Sequence, residues 1–423
     1  MSTTTEPGAA RPGGEFSLTD PELLTDPYGT VARIRERGAA VRARFMDGSL
    51  IWLFTRDAEV RTVLNDPRFV VDPASVPGHR APNTRVDVMR AMGITEDMIP
   101  YLTEGMLDRD APDHTRLRKL VSRAFTVRRV SELRPRVEEI TEGLLDALPA
   151  HAEDGVVDLV EHFAYPLPIT VICEMVGVPE EDRPLWLEWS HALFSMRPEE
   201  IEPTMWAMVD HIRGMIERRR AAPSDDLLDA LIRVQDDDGD RLSETELITM
   251  VFTLVIAGHE TTAHLIGNGT AALLTHPDQM ALLRGDPGLL PAAVHELQRW
   301  CGPILMTRLR YAAEDLELGG VRLSAGEPVQ AMLVGANRDP RHFSDPERLD
   351  LMRRPPGCGE QHVGFGHGAH YCLGAALARQ EAEVAFGALL RRHPDLELGV
   401  AEQDLEWQPV PTMRRLVRLP VRI

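Results

Sequence analysis

The residues most able to do chemistry crowd into one stretch near the end of the chain, Phe365-Gly366-His367-Gly368-Ala369-His370-Tyr371-Cys372-Leu373-Gly374. Glycines there give a backbone that can turn left-handed or lie close against a flat ligand. Cys372 falls just ahead of an apolar helical run, Ala375 to Leu390, where free N–H groups and the helix dipole favour a thiolate. Three chemistries are open to such a cysteine. It can be an inert buried thiol, the commonest fate of a lone cysteine. It can bind zinc with Cys358, His362, His367 and His370, although the paired C-x₂₋₄-C spacing of zinc sites is missing. Or it can be the single axial thiolate of a haem iron.

A second candidate lies mid-chain, in Ala257-Gly258-His259-Glu260-Thr261-Thr262. A glycine, an acid and two β-branched threonines weaken a helix at its centre, and such departures in a buried element tend to mark function. A third is the basic island from His114 to Val130, with Arg116, Arg118, Lys119, Arg123, Arg128 and Arg129 and no acid between Asp113 and Glu132. It reads either as a solvated helix face or as inward arginines for a buried carboxylate and outward ones for an acidic partner. Glu296 and Arg299 share one helix face as an ordinary ion pair would.

The elements that must position these residues are mostly helical. Ser243-Glu244-Thr245-Glu246 reads as a capping box. The helix it opens runs to Thr275, stopped by Pro277, and at 1.5 Å per residue it crosses about 50 Å. Its apolar surroundings from Leu247 to Ala257 make it the central buried helix. Further helices are expected at 20–37, 57–65, 114–130, 132–148, 158–176, 180–196, 203–220, 225–235 and 289–300, with Pro179, Pro198, Pro203 and Pro223 as breaks. Short strands are expected at 41–45 and 51–54 around Gly48, then at 307–311, 316–318, 321–323, 329–333, 396–399 and 416–421. Residues 66–112 carry six prolines and read as a long, pocket-shaping loop. The soft and aromatic residues of Leu193–Met196, Met205, Trp206 and Met208 suit either core or an adaptable pocket. No repeat or linker is visible. The reading is a mainly α chain with a small β portion: a disordered tail at 1–14, then one domain over 15–423.

Composition sets outer bounds. Hydrophobic residues make up 43% and charged ones 26%, enough for a large core. A net charge of −20 argues against nucleic acid and anionic membrane as partners. The start has no basic and apolar leader, and no apolar run is long enough to span a bilayer. Four scattered cysteines fit a reducing cytoplasm rather than a disulfide framework.

The pattern Phe365-x-x-Gly368-x-x-x-Cys372-x-Gly374 resembles the haem-binding loop of the cytochrome P450 family. Ala257 to Thr262 resembles its oxygen-binding segment, Glu296-x-x-Arg299 its Glu-x-x-Arg pair with Arg348 as third member, and Asp110 to Arg118 its segment near the haem propionates. The likeness runs from about residue 15 to the end, and it looks strongest toward soluble actinobacterial enzymes of antibiotic and other secondary metabolism. It implies the P450 fold, a triangular prism-like helical domain around haem with a small β-sheet region. It implies haem b cradled by Phe365, Gly366, Gly374, Ala257 and Gly258, with Cys372 as the metal ligand. His114, Arg118, Arg310 and His370 would pair with the propionates, and Glu260 and Thr261 would pass protons through water to the oxygen site. Electrons would come from NAD(P)H through ferredoxin reductase and ferredoxin, docking near Arg118, Lys119 and Arg379. The implied reaction is insertion of one oxygen atom from O₂ into a C–H or C=C bond of a large apolar molecule of macrolide or polyketide type. The pocket would be lined from 72–108, 193–208, 304–306 and 410–413. Readings left open are a steroid- or terpene-like substrate, a peroxygenase driven by H₂O₂, and a haem or zinc protein that only binds or senses.

Overall fold

The computed structural model describes residues 16–78, 81–193, 197–234, 239–353 and 359–423. The expected tail at 1–14, Phe194 to Met196 and Cys358 lie outside the described residues. The organising element is the helix Glu244–Thr275, whose Ser243 cap and Glu246 form the reciprocal capping box, with bonds of 2.8 and 3.2 Å. It is buried over most of its length, from Leu247 to Leu273. Around it pack Pro166–Val176, Pro198–Ala221, Leu290–Cys301 and Ala375–Arg392. At Gly269 a Cβ would stand 2.5 Å from Phe386 Cζ, so the absence of a side chain sets how closely the last of these approaches.

The β portion lies to one side. Its six-stranded sheet runs in the order Phe16–Ser17, Ala40–Arg44, Leu50–Phe54, Pro328–Ala331, Arg310–Ala312 and Phe69–Val70. Arg310 pairs in register with Val329, in a strand flanked on both sides, and its side chain lines the cavity described below. Smaller sheets join Leu316–Leu318 to Val321–Leu323, and Glu397–Leu398 to Pro420–Arg422 and Val156–Asp158.

Several expectations change. Residues 66–112 are not one long loop: they hold the helices Thr84–Ala91 and Ile99–Thr103. Asn83 caps the first, and Pro100 sits in the opening turn of the second, where a missing N–H leaves nothing unpaired. Pro203 does not break a helix but lies inside Pro198–Ala221. It and Glu199 are exposed, so water can take the carbonyl that loses its donor. Pro277 starts a helix, Pro277–Gly285, that the sequence reading passed over. The strand expected at 416–421 contracts to Pro420–Arg422.

Candidate active site

The cysteine loop is built by its backbone. The Cys372 N–H donates to the Phe365 carbonyl at 2.9 Å, closing the loop two residues ahead of the Gly374 that begins the Ala375–Arg392 helix. Gly366 and Gly368 take left-handed φ values of 77° and 74°. A Cβ on Gly368 would also stand 2.7 Å from the Leu64 carbonyl, so the loop is pressed onto the helix Asp57–Asn65. Cys372 faces a cavity of about 420 Å³. Burial pushes its thiol up, against the opposing pull of the Gly374 N–H and of Arg118 and Arg379. The loop alone therefore does not favour the thiolate, as the dipole argument expected; a bound cation is what deprotonates such a ligand.

The same cavity is lined by Ala257, Gly258, Thr261 and Thr262 of the central helix. The Thr261 hydroxyl donates to the Ala257 carbonyl at 2.9 Å. Gly258 owes its smallness to a neighbour: a Cβ there would meet Ile172 Cγ1 at 3.2 Å, so the glycine lets the Pro166–Val176 helix close in.

One edge of the cavity is cationic. His114, Arg118, Arg310 and His370 line it together, although they come from three distant parts of the chain. The rings of His114 and His370 stand 4.1 Å apart, and the buried His114 Nε2 has no hydrogen-bond partner. Burial, then His114, Arg310 and Arg118, push His370 down to about 3. Burial likewise lowers Arg310 to about 10, with one guanidinium nitrogen on the Phe69 carbonyl at 3.2 Å. Among the described residues no acid lines this cavity. A flat apolar group with two carboxylates and a metal that takes one thiolate fits these residues: orphaned donors at the edge, apolar walls, sulfur below.

Glu260 is set apart from Thr261. Its carboxylate does not line the cavity but accepts from the Tyr165 hydroxyl, from Arg415 at 2.8 Å and from His264 at 3.0 Å, with His259 at 3.9 Å. Burial alone would raise its pKa; His264, His259 and Tyr165 outweigh that and hold it at about 2. Tyr165 and Arg415 went unnoticed in the sequence, since only folding brings residues 95 and 155 positions away onto one carboxylate; His264, one helical turn on at i+4, carried a readable local signal.

Other expectations sort as follows. Glu296 and Arg299 do pair, at 2.7 Å, but Arg348 offers only its carbonyl; the guanidinium on Glu296 is that of Arg353, at 3.0 Å. Met106, Leu107, Ile304 and Met306 line the cavity, whereas the described residues of 193–208 and 410–413 do not. In the basic island Arg118 turns inward, while Arg116 pairs with Glu246 and Asp240. His295, Glu360 and His362 could bring three ligand atoms within 4.8 Å of one another. The Gly364 N–H already donates to His362 Nδ1 at 3.1 Å, leaving the proton on the nitrogen that would have to bind, and Arg379 holds Glu360 at 3.1 Å. That cluster satisfies itself.

A helical body around a cavity with sulfur at its floor and a cationic edge defines a haem-thiolate protein. The family model for cytochrome P450 matches residues 199–286 and 288–417, and the chain belongs to that family of monooxygenases. Membership implies haem iron and electrons supplied by a redox partner. It is 44% identical to cytochrome P450 monooxygenase PikC of Streptomyces venezuelae over 98% of this chain and 95% of that one. It is 44% identical to 6-deoxyerythronolide B hydroxylase of Saccharopolyspora erythraea, over 96% and 99% respectively. The solved structure of the Bacillus subtilis bacillaene polyketide synthase cytochrome P450 PksS superposes with a TM-score of 0.86 at 36% identity, covering 96% of this chain and 99% of that one. Among the described residues no helix is long and apolar enough to cross a membrane.

Proposed function

We propose that the protein hydroxylates or epoxidises a large, mainly apolar small molecule of macrolide or polyketide type, in the cytoplasm. Haem b would be its cofactor, and ferredoxin and ferredoxin reductase would carry electrons from NAD(P)H. The similarity to PikC and to 6-deoxyerythronolide B hydroxylase supports the substrate class. The observation that carries the reading is a single cysteine lining one cavity together with Ala257, Gly258 and Thr261 of the central helix and the cationic set His114, Arg118, Arg310 and His370.

In this reading Cys372 is the metal ligand and Phe365, Gly366 and Gly374 shape the loop that holds it. His114, Arg118, Arg310 and His370 take the cofactor's two carboxylates; arginine suits this because its planar fork stays charged when buried. Bound there, haem supplies the iron at which O₂ is activated, so that one oxygen atom enters substrate and the other leaves as water. The Thr261 hydroxyl can turn from the Ala257 carbonyl and donate into the cavity instead. Glu260, the preceding residue, is ionised as it stands; released from Arg415, His264 and Tyr165 it would first take a proton from solvent and then pass that proton through water to the Thr261 hydroxyl. The apolar side chains of Met106, Leu107, Ile304 and Met306 orient substrate by excluding water.

The test is the difference spectrum of the reduced protein with carbon monoxide. Wild type is expected to give the thiolate-haem band near 450 nm (a general property of that bond, about 450), and Cys372→Ala to lose it together with turnover. A variant that keeps both would overturn the assignment.

A further inference from the structure

The cavity wall carries one more arginine, near enough to the cationic edge for its charge to help lower His370, yet engaged with residues of another part of the chain. Arg308 belongs to the segment that runs from the cavity residues Ile304 and Met306 into the strand Arg310–Ala312. Its side chain is 43% exposed although burial by the surrounding protein lowers its pKa to about 10, so the surface it exposes is cavity surface. Arg308 is ion-paired with Asp108 of the turn Met106–Asp108, and Arg85 of the helix Thr84–Ala91 is ion-paired with the same carboxylate oxygen. Two guanidinium groups thus share one aspartate. Burial and then the charge of Arg308 push Arg85 down to about 8, the direction expected when two cations are under-neutralised. The neighbouring acids are committed elsewhere: Asp72 pairs with Arg109 at 3.2 Å, and both oxygens of Asp110 accept the Val71 and Asp72 N–H groups at 2.8 to 3.1 Å.

We propose that Arg308, backed by Arg85 and Asp108, is a substrate anchor for an anionic oxygen group, so that the preferred substrates are amphiphilic acids: an apolar body that fills the cavity and one carboxylate, or comparably acidic oxygen, that completes the ion cluster. This rests on reading the cavity as the substrate pocket of a monooxygenase. A half-neutralised arginine is costly to leave unmatched on a cavity that no acid lines among the described residues. A carboxylate accepting from it makes a charge-assisted, two-pronged contact that a hydroxyl or ester of the same body cannot reproduce. A carboxylate held at Arg308 would also fix which carbon of an extended substrate lies over Cys372.

The experiment titrates the haem-loaded enzyme with dodecanoate, dodecanol and methyl dodecanoate, reading affinity by calorimetry and by the spin-state shift of the Soret band. Wild type is expected to bind the acid at least about tenfold tighter than the alcohol or the ester, or ~1.4 kcal/mol. Arg308→Gln should abolish that preference while keeping haem content and the carbon monoxide band, and Arg308→Lys should keep part of it. Equal binding of acid, alcohol and ester by wild type overturns the proposal. So does loss of haem from Arg308→Gln and Arg308→Lys alike, which would assign the arginine to the cofactor's carboxylates. Absence of a thiolate-haem band in wild type is a separate failure, of the monooxygenase reading itself.

Discussion

At the scale of single residues, the site divides between groups that meet the cavity and groups that stand behind it. Thr261 meets it, with a hydroxyl donated to Ala257 that can be redirected. Thr261→Ala is expected to leave substrate binding intact but to divert electrons into hydrogen peroxide, lowering product formed per NAD(P)H oxidised several-fold. Unchanged coupling would remove Thr261 from proton handling. Glu260 stands behind the wall, and its stability effect has a definite sign. A carboxyl held at about 2, against an ordinary 4.5, stabilises the fold above about pH 4.5 and loses that contribution as pH falls toward 2. Glu260→Gln should therefore lower stability by roughly 3 kcal/mol at pH 7, more if Arg415 is left unpaired, with the gap to wild type closing in acid. Urea midpoints at neutral and acid pH check this; a gap that stays constant would mean the carboxylate charge contributes nothing. The adjacency of Glu260 and Thr261 was legible, and the family resemblance suggested a shared proton role, but their separation into different environments was not. A helix turns each successive residue by a hundred degrees or so, and which side faces ligand depends on what packs behind it.

At the scale of elements, the sequence was most readable where one local signal acts alone. The capping box at Ser243, the nine-residue helix Asp57–Asn65 and the hairpin pair Leu316–Leu318 and Val321–Leu323 sit where periodicity and turn chemistry put them. Proline was the misleading signal. Pro100 and Pro277 open helices and Pro203 rides inside one, because the ring is harmful only where a buried carbonyl would lose its donor. The glycines of the cysteine loop were readable as permissive positions, but not the reason for each. At Gly368 the reason is contact: Leu64 and Asn65 leave no room for a Cβ, and φ is positive besides. Gly368→Val should push the loop off the helix Asp57–Asn65. The expected result is folded protein, judged by circular dichroism, that retains less than about half the wild-type haem. Full haem occupancy would show that the loop tolerates displacement. The cost of a strained non-glycine residue at that φ, ~1–2 kcal/mol, sets the minimum effect.

At the scale of the whole molecule, charge is unevenly placed. The net charge is −20, yet the helix Asp113–Ala124 exposes Lys119 and Arg123 while its Arg118 turns into the cavity that Cys372 lines. An acidic electron carrier would be repelled by the protein at large and drawn to this one region, so its reduction rate should fall several-fold between low salt and about 0.5 M NaCl, where screening is complete beyond a few ångströms. A rate that rises with salt would mean that the overall negative charge governs the encounter and that docking is elsewhere. The family was readable from ordered motifs, whereas the cavity lining was only half so. Residues 304–306 reach it, but 410–413 support that segment from behind, through the Thr412 carbonyl that accepts the Leu305 N–H at 2.9 Å. The same late stretch supplies Arg415 to a carboxylate 155 positions earlier. Anyone recombining this protein with a relative therefore faces a constraint on crossover points. A chimera that imports the central helix beside a C-terminal segment with no arginine in the place of Arg415 would inherit an acid without that counter-ion, and libraries should swap the two pieces as one.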